Sequence, residues 1–159
     1  MSFDGARTWL RDIGVDIAPR IDIPIAGRTP VTNTLAGLVI LSVGRGGQVH
    51  AAVNRALKTV GAVVMVKTSV AEVLQMLGAF VPSAVVTEVA PGDDDGFALL
   101  RAIRKLRPQH GGGLPIVGAS GETIDPAPMI EAGFQGALVV PFDAPGVART
   151  ILQAISQLV

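Results

Sequence analysis

Five short apolar runs, each followed by a segment of helical period, set the tightest limit on what this chain can fold into. The runs are 38–42 (LVILS), 62–66 (AVVMV), 83–87 (SAVVT), 114–120 (LPIVGAS) and 137–140 (ALVV). None alternates strictly between apolar and polar residues, so both faces of the sheet they build need cover. Strands of that kind pair in parallel and lie between helices. The intervening segments supply the helices. Between 48 and 60, Val49, Val53, Ala56, Leu57 and Val60 share one face. Ser69 caps a helix bearing Val70, Val73, Leu74 and Leu77, and Asp95 caps one bearing Phe97, Leu100, Ile103 and Leu106. A short helix over 122–132 is delayed by Pro126 and Pro128 and ended by Gly133. Asp143 caps the last, through Ile151, Leu152 and Ile155. The alternation predicts an α/β domain over 37–159 with a doubly wound, five-stranded parallel sheet.

Residues 1–36 depart from this rhythm. Ala6, Trp9, Leu10 and Ile13 fall on one helical face, and Gly14 ends that helix. Ile21, Ile23 and Ile25 alternate with Asp22 and Pro24, and the proline confines that run to a sheet edge or an extended arm. Pro30, Thr32, Asn33 and Thr34 read as linker. The expectation is an N-terminal extension of amphipathic helix plus arm. Its apolar stripe needs a partner surface, reached by docking back or by homodimerisation, with Trp9 as the anchor.

Composition removes several functions. Thirteen basic residues balance thirteen acidic ones, so there is no electrostatic footprint for nucleic acid or an anionic membrane. The absence of cysteine excludes disulfides, thiolate metal sites and thiol catalysis. No apolar run spans a bilayer, and the first residues, MSFDGARTWLRD, lack a signal-peptide core. A soluble cytoplasmic protein is the expectation.

The stretch 85–97, VVTEVAPGDDDGF, reads as a buried strand, a loop at its C-terminal end and a helix start. Function gathers at such loops in open parallel sheets. Glu88, Pro91, Asp95, Gly96 and Phe97 follow the pattern E-x-x-P-x-(x)-x-D-G-F. Ser120 ends a later strand, 131–136 read E-A-G-F-Q-G, and 140–143 read V-P-F-D. In this order and spacing the motifs resemble the response-regulator receiver family, over the whole chain beyond the extension. The resemblance implies a flavodoxin-like fold with strand order 2-1-3-4-5, a cis bond before Pro141, and a role in signal transduction with protein partners. It also implies a chemistry. Receivers of this family accept a phosphoryl group on an aspartate ending the third strand. Acidic residues after the first strand hold Mg²⁺, and a Ser or Thr after the fourth strand and a lysine after the fifth contact the phosphoryl oxygens.

This chain departs from that set. The acidic pair falls on Ser42 and Val43, the lysine on Val140 and the switch aromatic on Ala137. The phosphoacceptor falls on Thr87 counting from Pro91, or on Glu88 counting from Asp95-Gly96, because the loop is one residue longer. Ser120 is kept. The expectation is a degenerate receiver with no catalysis, metal or cofactor, acting as a phosphorylation-independent interaction module. Its contact face would be the fourth helix, fifth strand and fifth helix, around Ala137, Pro145 and Arg149. Two alternatives stay open. One is phosphorylation in an atypical geometry through Asp93 or Asp94. The other is a small-ligand or nucleotide site at Gly44-Arg45-Gly46-Gly47, a turn that opens a helix without matching G-x-G-x-x-G. The bland readings are a solvated Glu88, a solvated Asp93–Asp94 loop, a locally capping Ser120, and lone His50 and His110.

Overall fold

Strand β1 (Val39–Val43) lies inside the sheet, between β2 (Val63–Lys67) and β3 (Ala84–Glu88). Beyond β3 come β4 (Ile116–Ser120) and β5 (Gly136–Val139), giving the order β2-β1-β3-β4-β5 with every pair parallel. The structure is a computed structural model. It describes residues 34–90, 95–122 and 125–157, all within a unit that runs Thr32–Val159. Trp9 and the 1–33 part of the extension lie outside the described residues, as do Asp93 and Asp94. Leu35 is fully buried and its N–H donates to the Val60 carbonyl, so residues just before 37 belong to the described unit.

The apolar runs become strands because burial on both faces rewards them. β3 and β4 are almost wholly enclosed, whereas β2, at the sheet edge, leaves Val63 and Val66 exposed. The β-pleat sends alternate side chains to opposite faces. On one face, α1 (Gln48–Thr59) packs against α5 (Ala144–Ser156). On the other, α2 (Val70–Leu77) packs against α3 (Asp95–Arg104). Leu41 and Val43 of β1, Val85 of β3 and Ile116 of β4 join Val73, Leu77, Leu99, Leu100 and Ile103 in one buried cluster. Phe97 and Phe134 meet edge to face, with ring centroids 5.5 Å apart.

Several local expectations change. The fourth helix, α4, runs Ala127–Ala132 rather than from 122, because its amide donors are first met by Asp125, whose Oδ1 accepts from Ala127 N–H at 2.9 Å. The glycine-rich 110–113 loop is held by backbone hydrogen bonds donated by His110, Gly111 and Gly112. A 3₁₀ turn, Pro108–His110, leads into Gly111 at φ 104°, and Gly112 N–H donates to the Arg107 carbonyl. β5 takes in Gly136 and stops short of Val140. Asp143 does cap α5, accepting from Gly146 N–H at 2.8 Å. No described helix is long and apolar enough to cross a membrane.

Candidate functional site

The C-terminal ends of β1, β3 and β4 bring most of the sequence-predicted positions together. Ser42 stands beside Val86 and Val43 beside Thr87, and Glu88 is paired with Ala119 next to Ser120. The pleat puts Ser42, Val86 and Glu88 on the α1 side of the sheet and Val43 and Thr87 on the α2–α3 side.

On the α1 side the interior is polar but closed. Ser42 is 1% exposed and its Oγ has no hydrogen-bond partner. His50, read from sequence as standing alone, is 4% exposed and fastens the turn before its helix: its Nδ1 accepts from Gly46 N–H at 3.2 Å. The other ring nitrogen, Nε2, has no partner. The imidazole lies against Gly44, where a Cβ would come within 2.8 Å of its Cγ, so glycine is what lets the ring in. The space shared by Ser42, His50, Val86, Glu88 and Ala119 is too small for a water molecule.

This donor set does not fit Mg²⁺. A hard cation of that size needs near-octahedral oxygen ligands, with carboxylates among them. The two positions at the end of β1 offer a buried neutral hydroxyl and a valine. Among the described residues no three metal-capable side chains cluster. Thr87 is buried, and its hydroxyl donates to the Glu88 carbonyl over a long 3.4 Å. Glu88 is half-buried, and no described basic side chain pairs with it. The Ser120 hydroxyl is taken up locally, accepting from Glu122 N–H at 3.1 Å and donating to its carbonyl. It closes a loop, five or more residues ahead of α4. Val140 is half-buried at the end of β5, and the bond to Pro141 is cis.

On the α2–α3 side the same strand ends open into a cavity of about 380 Å³. Its apolar walls are Val43, Val70 and Leu99, while Thr87 supplies a hydroxyl and Glu88 a half-buried carboxylate. Thr68 and Ser69 line it from the β2–α2 loop, and Gly44, Arg45 and Gly47 from the β1–α1 loop. The rim carries an ion pair between Arg45 Nη2 and Asp95 Oδ2. Asp95, expected to cap α3, stands as its first described residue, and its carboxylate pairs with Arg45. The two side chains are 75% and 56% exposed, so the pair is worth about 0–1 kcal/mol. Sequence reasoning missed Thr68, Ser69 and Val70, which become neighbours of β3's end only once β2 lies beside β1.

The β2–α2 wall is held by a reciprocal cap. Ser69 Oγ accepts from Glu72 N–H at 3.2 Å, and Glu72 Oε1 accepts from Thr68 N–H and from the Thr68 hydroxyl. The backbone hydrogen bond from Thr68, with its hydroxyl second, holds the Glu72 carboxyl below the usual carboxylate value. A carboxyl depressed in the folded state adds stability above its unfolded pKa, and that contribution fades as pH falls through the folded value. Glu72→Gln should therefore melt below the parent at neutral pH. The gap should close as melting curves are taken down into the acid range, and a pH-independent gap would contradict this account.

A second, more open depression of about 430 Å³ runs along β5 and α5. Ala137, Val139, Pro141, Phe142, Arg149 and Thr150 line it. Ala137, at the aromatic position, is half-buried, and Arg149 is exposed.

No protein-family model and no curated protein matches the chain in sequence. Solved structures match it in fold. The chemotaxis response regulator CheY4 of Vibrio cholerae aligns with a TM-score of 0.59 at 22% identity, over 74% of this chain and 98% of that one. The receiver domain of a Pseudomonas aeruginosa sensor histidine kinase, with magnesium coordinated in its active site cleft, aligns with a TM-score of 0.62 at 19% identity, over 76% and 99%. A response regulator from Desulfuromonas acetoxidans gives 0.59 at 21%, over 77% and 99%. With β2-β1-β3-β4-β5 order, five parallel strands and paired helices on both faces, the chain has the fold of the response-regulator receiver domains.

Proposed function

We propose that this chain is a receiver domain of two-component signalling that has given up phosphoryl transfer and acts as a protein-interaction module. The observation that carries the reading is the closed end of β1. Ser42 and Val43 are 1% and 7% exposed within the strand, in register with Val86 and Thr87, where a metal-holding receiver needs accessible carboxylates. Val140 in place of a lysine removes the cation that would meet the phosphoryl oxygens. Ser120, the retained hydroxyl, is engaged with Glu122. Among the described residues, the end of β1 offers no metal-holding carboxylate and the end of β5 no cation, which supports binding rather than turnover. The contact face would be α4, β5 and α5, where the depression beside Ala137 offers room for a partner's side chain and Arg149 stands at its edge. Pro145 lies at the start of the same helix. The partner is a protein of a signalling pathway, and the extension carrying Trp9 would add self-association.

The test is intact mass after incubation with Mg²⁺ and a small phosphodonor, with a competent receiver alongside. The expected result is an unchanged mass while the control gains its phosphoryl group. An adduct on this chain would overturn the reading and would be mapped among Glu88, Asp93, Asp94 and Asp95.

A further inference from the structure

We propose that the end of the sheet opposite the degenerate phosphoacceptor positions docks on an anionic lipid surface. The thirteen basic and thirteen acidic residues balance only as a sum over the chain. In the fold the signs separate. Glu72, Glu88, Asp95, Glu122, Asp125 and Asp143 stand at the C-terminal ends of strands or in the loops and first helical turns beyond them, accompanied by Arg45 and Lys67. At the N-terminal ends the balance reverses. The stretches 73–87 and 96–121, which contain the turns from α2 into β3 and from α3 into β4, hold no acidic residue. Lys105 and Arg107 are exposed where α3 gives way to the 3₁₀ turn, and Lys58 is exposed in the last turn of α1. No described carboxylate pairs with any of the three. Arg104 is turned inward to Gln135 and Gly112 and adds nothing to this surface. Glu131 is the exception at this end, on α4 beside β5.

The same end exposes apolar side chains. Phe80 and Val81, in the α2–β3 turn, are 43% and 40% exposed. The turn is fixed on both sides. Phe80 N–H donates to the Met76 carbonyl at 2.9 Å and Ser83 N–H to the Val39 carbonyl at 2.7 Å, with Pro82 buried between them. Val39 is the register partner of Val63, which opens β2 and is 55% exposed. The basic turn adjoins this group, because a Cβ on Gly111 would meet Leu77 Cδ2, at the end of α2, at 3.5 Å. Apolar tips beside lysine and arginine match an anionic bilayer. Phe80 and the valines enter the boundary between headgroups and acyl chains, while Lys58, Lys105 and Arg107 lay their stems along it and reach lipid phosphates. A nucleic acid would meet the charges but leave the valines uncovered. Neither Phe80 nor Val81 lines either cavity described above. They stand on turns, which suits a fluid interface that adapts to them better than a peptide that needs a groove. The acidic end then faces away from the bilayer, so the separation of signs also orients the domain.

The test is co-sedimentation of the full chain with two kinds of vesicle, phosphatidylcholine alone and phosphatidylcholine mixed with phosphatidylglycerol in equal parts. Binding to the mixed vesicles is expected to exceed binding to the neutral ones by about tenfold or more, and to weaken as salt is raised. Lys105→Glu combined with Arg107→Glu should reduce binding to the mixed vesicles by about tenfold or more. Phe80→Ser combined with Val81→Ser should reduce it by about tenfold while the charges stay in place. All four side chains are exposed, and an unchanged melting curve confirms that each variant is folded. No binding to the mixed vesicles would overturn the proposal, as would equal binding to both kinds. Binding that neither pair of substitutions weakens would place the contact elsewhere on the chain and overturn it too. Retention on immobilised poly-glutamate without vesicle binding, lost in the charge variant, would assign the surface to an acidic protein instead. The phosphodonor experiment above reads the other end of the sheet, so either reading can fail without the other.

Discussion

Gly96→Ala should destabilise the domain by about 2 kcal/mol and lower its melting temperature by roughly 5–8 °C. Gly96 is the second residue of α3, and a Cβ there would stand 2.6 Å from the Glu88 carbonyl oxygen and 3.0 Å from Val89 Cγ2. The first of these neighbours is backbone at the end of β3, so relief requires moving the helix or the strand. Overpacking of this kind costs about 1–3 kcal/mol, and alanine's better helix propensity returns less than about 1 kcal/mol at a helix start. Gly113→Ala is the matched control. No atom lies within 4 Å of its added methyl, and its stability should stay within about 0.5 kcal/mol of the parent. Equal melting of the two variants would show that α3 does not rest on β3 as closely as described. The same contact explains the D-G-F motif in physical terms. Asp95 faces the cavity rim, Gly96 lets the helix approach the strand end, and Phe97 turns inward to Phe134.

How much of this was legible in the sequence depends on whether the deciding contact is local. The strands were, to within a residue or two, because an apolar run between turn residues has few other uses in a chain with this little charge. The caps at Ser69 and Asp143 were, because each is a side chain meeting an amide three residues on. Strand order needed the receiver resemblance, since periodicity carries no information on which strands are neighbours. The closed end of β1 followed from the same resemblance, by counting to Ser42 and Val43. The cavity followed only in part: Val43, Thr87 and Glu88 stand at positions the family motifs pick out, whereas its other wall draws on Thr68, Ser69 and Val70 after β2. The burial of His50 was not legible, because a polar residue adds nothing to an apolar pattern. Its burial depends on Gly44, six positions earlier, presenting no side chain. The need for glycine at 112 was equally hidden: a Cβ there would collide with the Leu106 carbonyl oxygen.

The least legible residue is Gln135, and Gln135→Leu carries the largest expected loss outside the glycine contacts. Within E-A-G-F-Q-G it looks like a variable surface position. In the fold its Oε1 accepts from Ile116 N–H at 2.9 Å and from Arg104 Nη2 at 2.7 Å, and Arg104 Nη1 donates to the Gly112 carbonyl at 3.1 Å. One side-chain oxygen thus joins the start of β4, the end of α3 and the turn into β5. Ile116 is fully buried, so leucine at 135 leaves its amide without a partner and no water to replace it. An orphaned buried donor costs about 1–3 kcal/mol. Arg104 is half-buried and desolvation lowers its pKa, so losing an acceptor adds to that cost. A total near 3 kcal/mol is expected, read as a shifted denaturation midpoint with an unchanged denaturant slope. Gln135→Glu separates hydrogen bonding from packing. It keeps the acceptor oxygen of both hydrogen bonds at nearly the same shape and places a carboxylate on Arg104, so it should match the parent at neutral pH. It should fall toward the leucine variant only as that carboxylate is protonated, because its partners favour the charged form. If glutamate at 135 is as damaging as leucine at neutral pH, the tie between β4, α3 and β5 rests on side-chain shape and not on that oxygen.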